Sequence, residues 1–179
     1  MQPCNKSIGV DVGLKSFLAD SAGNTIVNPQ FFTQSEKQLR ILQRKLARQK
    51  RGSKRREATR LLIGKLHEKV ANSREDFACK VAKDYVANHD LVAIEDLSVK
   101  GLIQKDEARL AKSIIDVAWS SLRQRMTNKA EEYDRQVIAV NPANTSKACS
   151  SCGHIQDMPL TERTFNCPAC GLTLDRDVN

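Results

Sequence analysis

Residues 7–13, Ser-Ile-Gly-Val-Asp-Val-Gly, decide how the chain begins to fold. Side chains of an extended strand alternate, so Ile8, Val10 and Val12 share one side and Gly9, Asp11 and Gly13 the other. The pattern predicts a half-buried strand whose second face carries one carboxylate between two glycines. Working outward, Phe17-Leu-Ala-Asp reads as a second strand and Ala22-Gly-Asn as turn chemistry. Thr25 to Phe32 reads as a third strand, weakened by Pro29. Two antiparallel hairpins are the simplest arrangement. Leu39, Leu42 and Leu46 then recur at helical spacing, Gly52-Ser53 interrupts, and a second helical pattern runs through Leu62, Leu66, Val70, Phe77, Val81 and Tyr85. This predicts a helical hairpin over about 34–88 with its tip near Gly52. Leu91-Val-Ala-Ile-Glu-Asp-Leu is an apolar run of strand length and predicts a buried strand ending in acids.

From about Glu107 to Asp134 lies the longest helical pattern (Leu110, Ile114, Val117, Leu122, Met126). Gln136-Val-Ile-Ala-Val predicts another buried strand, stopped by Asn141-Pro142. Strands followed by helix, strand, helix and strand imply an α/β fold, a mixed sheet flanked by helices. From Thr145 the composition changes to Cys, Gly, Ser and Pro. The chain is therefore divided into a core over 1–144, a small inserted module over 145–172 and a helix start over 173–179, with Asp175 as its N-cap.

The 179 residues carry a formal charge of +8, unevenly spread. Between Glu36 and Arg74 there are 14 Lys/Arg against three acids, a local +11, which leaves the remainder at −3. All the excess positive charge lies in the helical hairpin, the footprint of a surface that neutralises phosphates. A solvated, helix-favouring face is the bland alternative, since Lys, Arg and Gln form helices well. Aromatics are only 4% of the chain, so contact with a nucleic-acid backbone is favoured over base stacking. No apolar run reaches membrane-spanning length, and the first residues show no apolar stretch after a basic patch. The expectation is a soluble cytoplasmic chain.

Of six cysteines, four form two Cys-x-x-Cys pairs, Cys149/Cys152 and Cys167/Cys170, separated by 14 residues and each followed by glycine. Tetrahedral zinc needs four thiolates about 2.3 Å from one ion, and each pair brings two sulfurs together in a tight knuckle. The glycine lets the backbone turn back toward them. Two disulfides or a redox pair are the alternatives, and no thioredoxin-like context surrounds either pair. A closed four-thiolate site does no chemistry; it folds a module too small for its own core. His154 is read as a surface residue, and Cys4 and Cys79 as small apolar side chains.

Asp11 lies mid-strand, Glu95 ends a buried strand and Asp177 opens a helix. Taken singly, each has an ordinary reading: a turn, an ion pair, a helix N-terminus. Three converging carboxylates repel one another unless a cation lies among them, and two magnesium ions about 3.5–4 Å apart can clamp both oxygens of a phosphoryl displacement. Alternation alone does not choose between Glu95 and Asp96.

The motifs IGVDVG, AIEDLSVKGL, TSKACSSCG, RTFNCPACG and LDRDVN, in this order, resemble the RuvC-like nuclease of the TnpB (transposon OrfB) family, related to the type V CRISPR effectors. The resemblance covers nearly the whole chain. It implies an RNase H-like fold with a zinc ribbon inserted before the last catalytic helix, catalytic acids at Asp11, Glu95 and Asp177 holding Mg²⁺ or Mn²⁺, and structural zinc on Cys149, Cys152, Cys167 and Cys170. The implied activity is RNA-guided, metal-dependent cleavage of target DNA, with the guide RNA transcribed from the transposon end. The hairpin, through Arg44, Arg48, Arg51, Lys54, Arg55 and Arg56, would grip the guide–target duplex or the strand entering the site, with Lys15 and Arg163 as weaker contacts. Family members usually carry an N-terminal half that holds the guide, and their last motif continues past the position of Asn179. A truncated copy is therefore expected, with a separate guide-binding chain as a candidate partner. The alternative is a zinc-ribbon module that binds nucleic acid without catalysis, as a repressor or assembly subunit. A pure binder has no reason to keep three acids.

Overall fold

The alternation is realised as a strand over Ser7–Asp11, with Ile8 and Val10 buried, Gly9 and Asp11 half-buried, and Val12 buried just past its end. The computed structural model describes residues 5–13, 16–97, 119–159, 162–176 and 178–179. Strands β1 (Ser7–Asp11), β2 (Ser16–Asp20) and β3 (Thr25–Val27) precede two helices, α1 (Phe31–Arg48) and α2 (Lys54–Asn88). Then come β4 (Leu91–Glu95), α3 (Trp119–Tyr133) and β5 (Gln136–Val140), and last a small hairpin of β6 (Thr164–Asn166) and β7 (Thr173–Asp175). The mixed α/β sheet expected from the sequence is present, with strand order β3-β2-β1-β4-β5. β1 is antiparallel to β2 but parallel to β4, and β4 is parallel to β5. The C-terminal ends of β1, β4 and β5 therefore share one edge.

One core holds the sheet to its helices. Ile8, Val10, Leu18, Val92 and Ile94 pack with Val81, Ala82, Tyr85 and Val86 of α2 and with Trp119, Leu122, Met126 and Ala130 of α3. Leu18, Val86, Val92, Leu122 and Met126 are fully buried, each worth about 1.5–3 kcal/mol of transfer free energy. The register between β2 and β3 shifts between Ser16 and Leu18, and Phe17 as well as Leu18 joins this core, its ring meeting Phe77 of α2 edge-on at 4.7 Å. Asp20 is the buried acid of the strand. It accepts hydrogen bonds from the backbone N–H groups of Ala22 (3.0 Å) and Asn24 (2.9 Å) and from the Tyr85 hydroxyl (2.9 Å), tying the β2–β3 turn to α2. Burial alone would raise its carboxyl, but the Asn24, Tyr85 and Ala22 hydrogen bonds outweigh burial and hold it below the usual value. Burial and the Asp20 charge raise Tyr85 in turn.

Three expectations are corrected. β3 ends at Val27 rather than running to Phe32, because Pro29 has no N–H for the ladder and Asn28 instead accepts from the Gln30 N–H at 3.0 Å. Gln30 adopts a left-handed backbone (φ 50°) and α1 starts at once with Phe31. β5 is not buried. It is an edge strand, Ile138 and Ala139 are exposed, and Val137 and Val140 are only half-buried. An apolar run looks alike in a central strand and at an edge packed on one face. Finally, Asp175 is the last residue of β7 rather than a helix N-cap, although its carbonyl accepts from the N–H groups of Val178 and Asn179 at 3.1 and 3.0 Å, closing a turn. The helical pattern through Leu110, Ile114 and Val117 lies outside the described residues; its later part is α3, ended by Asp134 at φ 54°.

The helical hairpin forms as read, with α1 packed along α2. Gly52 takes φ +79° at the tip, a conformation open to glycine, and Ser53 caps α2 by accepting from the Arg56 N–H at 3.2 Å. The Arg56 guanidinium reaches back to the carbonyls of Leu46 and Gln49, satisfying the end of α1. α2 is 35 residues long. Apart from Thr59, its buried residues lie between Val70 and Val86, so its first half stands outside the core beside α1. Among the described residues no helix is long and apolar enough to cross a membrane.

Candidate active site and metal centre

Parallel pairing brings two of the predicted acids together. Val10 is in register with Ile94, so Asp11 and Glu95, the next residue of each strand, stand side by side on the same face. Gly9 is paired with Ala93 on that face, and these two small residues floor a cleft of about 250 Å³ that Asp11 and Glu95 also line. A Cβ on Gly9 would lie 3.7 Å from the Ser21 Cβ, an ordinary contact, so the glycine adds room but is not sterically demanded. Ser21 closes this wall, donating its N–H to the Gly9 carbonyl (2.9 Å) and accepting the Gly9 N–H on Oγ (3.1 Å). The cleft lies at the C-terminal ends of adjacent parallel strands, where open α/β sheets bind ligands.

The choice that alternation left open is made by the strand end. Glu95 faces the cleft, whereas Asp96 is exposed and its carboxylate pairs with Arg123 of α3. Asp177 and Lys15 lie outside the described residues. The neighbours Arg176 and Val178, with Asn179, line the same cleft, as do Thr145 and Ser146. These five were not singled out from the sequence. Thr145 and Ser146 lie between the end of β5 and the first cysteine, and that position was the available signal.

The four cysteines converge. Their sulfurs lie within 4.8 Å of one another, with Cys149–Cys170 and Cys152–Cys167 both at 3.6 Å. Four sulfurs held about 2.3 Å from one ion in a tetrahedron would be about 3.8 Å apart, whereas a disulfide needs about 2.05 Å. The cluster thus fits a metal ion such as zinc. Two equivalent knuckles build it: Gly153 N–H donates to Cys149 O and Gly171 N–H to Cys167 O, both at 2.9 Å, with positive φ at each glycine (72° and 75°). Burial would raise the Cys167 thiol, but the N–H groups of Cys170 and Ala169 bring it down to about 6. The His154 N–H favours ionised Cys152, yet burial and the neighbouring thiols push it up to about 12. Bare thiols so close do not all ionise; a cation is what lets them. Phe165 is fully buried here with Cys149 and Cys167, flanked by Met158 and Leu172. His154 is exposed, and its carbonyl accepts from the Cys149 N–H at 2.8 Å. Cys79 donates to Glu75, and burial raises its thiol.

Of the basic residues singled out, Arg44, Arg48, Arg51, Lys54 and Arg55 are exposed along the hairpin and Arg163 is exposed on the cysteine module. Arg56 is half-buried and occupied as the cap of α1.

Residues 2–106 match the family OrfB_IS605, described as "Probable transposase", over more than half of the chain. The chain belongs to this family. Residues 119–179 of this OrfB_IS605 chain match a second description, "Cas12f1-like, TNB domain". A "Putative RNA-guided DNA endonuclease" of Streptomyces pristinaespiralis is 33% identical over 97% of this chain and 43% of its own length. "Putative RNA-guided DNA endonuclease InsQ" of Escherichia coli K12 is 31% identical over 100% of this chain and 48% of its own. The cryo-EM structure of a Cas12f1–sgRNA–target DNA complex superposes with a TM-score of 0.61 at 23% identity, covering 96% of this chain and 47% of that one. The chain thus shares that fold and spans under half the length of the relatives it matches.

Proposed function

We propose that this chain is the RuvC-like nuclease portion of a transposon-encoded, RNA-guided DNA endonuclease. The observation that carries the reading is the pairing of Asp11 and Glu95 on one face of adjacent parallel strands, at the floor of an open cleft. Asp177, beside cleft residues Arg176 and Val178, is the third acid in this reading. Carboxylates this close favour a divalent cation, and Asp11 and Glu95 would hold magnesium or manganese. Such a metal supplies charge neutralisation and a water activated for attack on phosphorus. The chain's own part is to fix two carboxylates on rigid strands and leave space for a backbone phosphate above Gly9 and Ala93. Zinc on the four cysteines would order the adjoining module. The exposed cations of the hairpin would hold guide RNA and target DNA, in line with the partners in the description of the Cas12f1 complex.

The test uses the zinc-loaded chain with end-labelled single-stranded DNA and Mn²⁺, beside Asp11→Ala. Cleavage by the parent and not the variant is expected. DNA binding by both with cleavage by neither would replace this reading with a non-catalytic nucleic-acid binder.

A further inference from the structure

The cysteine module and the acidic cleft are joined by one side chain. The Asn179 amide donates through Nδ2 to the Ala148 carbonyl (2.7 Å) and accepts through Oδ1 from the Ser150 N–H (3.1 Å). Ala148 and Ser150 flank Cys149, the buried cysteine of the first knuckle, so the amide brackets a cluster residue from both sides. Through its own backbone Asn179 belongs to the turn closed on the Asp175 carbonyl, and it lines the cleft with Asp11 and Glu95. The other end of that turn is fixed as well. The Arg176 N–H donates to the Arg163 carbonyl at 2.7 Å and its guanidinium to the Glu162 carbonyl at 3.0 Å. One wall of the cleft is therefore anchored to the residues leading into β6 on one side and to the cysteine knuckle on the other.

We infer that Asn179 is a positioning residue coupling the two metal-holding clusters: an ordered knuckle holds the turn from Asp175 to Asn179 against the cleft, so occupancy of the cysteines by zinc strengthens divalent-cation binding between the carboxylates. The inference rests on the proposed function. An asparagine amide is suited to the task because it donates and accepts at once, and here both backbone partners are polar groups of the same loop. Neither Asp nor Ala reproduces the pair: Asp keeps the acceptor for Ser150 but has no donor for Ala148, and Ala has neither. By thermodynamic reciprocity, a cation in the cleft must also tighten the knuckle's hold on zinc by the same factor.

The experiment measures Mn²⁺ affinity by electron paramagnetic resonance on the zinc-loaded chain, without nucleic acid, for the parent, Asn179→Ala, Asn179→Asp and Asp11→Ala. Asn179→Ala should weaken Mn²⁺ about fivefold or more while zinc stays bound, the usual lower range of coupling between sites, with Asn179→Asp in between. The Ser150 amide should exchange faster with solvent in Asn179→Ala, which shows that the bracket has opened even if overall stability is unchanged. Unaltered Mn²⁺ affinity in Asn179→Ala, beside a clear loss in Asp11→Ala, would overturn the coupling and leave the acidic site standing. No loss in Asp11→Ala would overturn both.

Discussion

The acidic cleft and the cysteine cluster are both candidate metal sites, yet they are assembled in opposite ways. The cysteines come from one short stretch, and two local knuckles with repeated geometry bring the sulfurs to 3.6 Å. The carboxylates come from strands separated by a helical hairpin, and only the parallel register of β1 with β4 puts them together. The carboxylates are supported by a core of fully buried apolar side chains, whereas the cysteine module has Phe165 as its one large fully buried side chain among the described residues. The first cluster should survive as geometry without its metal; the second should not.

The sharpest way to break this contrast is to remove zinc. Chelation, or Cys167→Ser, should abolish hydrogen-exchange protection across residues 149–171 while α2, α3 and β4 stay protected, because zinc in such modules contributes about 10–16 kcal/mol of apparent folding free energy. Loss of the whole fold on chelation would show that the sheet depends on the metal as well. Next in size, Asp11→Ala should lower Mn²⁺-dependent cleavage on the order of a thousandfold with an unchanged melting temperature, which separates chemistry from stability at the cleft.

A change in the apolar core's own polar support should do the reverse. Asp20→Ala leaves the Tyr85 hydroxyl and two turn N–H groups unpartnered, and a loss of about 2 kcal/mol in urea unfolding is expected, with Mn²⁺ affinity retained. The folded-state value of Asp20 lies below its unfolded one. Its contribution is therefore complete above the unfolded value near 4 and is lost as pH falls through the lower folded value, so the parent should destabilise more steeply than Asp20→Asn there. The smallest effects belong to the hairpin. Arg56→Ala should cost about 1 kcal/mol by uncapping α1. Arg55→Ala should leave stability unchanged and lower the slope of nucleic-acid affinity against salt by about one.

Legibility in the sequence follows the same contrast. The cysteine cluster was readable because Cys-x-x-Cys-Gly is local chemistry, and the strand at Ser7 because its side chains alternate. Glu95 against Asp96 was not readable from alternation and rested on the family resemblance alone, since both follow an apolar run and it is the neighbouring strands and Arg123 that distinguish them physically. β5 was misread as buried because its position at the sheet edge is a property of the assembled sheet. Arg56 counted equally with its basic neighbours, although its partners are the Leu46 and Gln49 carbonyls at the end of another helix. The contribution of Asn179 needed the turn after β7, which the sequence presented as the opening of a helix.

The length of α2 has a mechanical consequence. The helix is continuous from Lys54 at the hairpin tip to residues seated in the core from Val70 onward. At 1.5 Å per residue, the portion from Lys54 to the start of the core residues is about 24 Å of helix, a span of about seven base pairs of duplex. A helix clamped at one end works as a ruler: whatever the tip touches is held at a set distance from the cleft, and changing that distance means inserting or deleting turns of α2 rather than altering any contact.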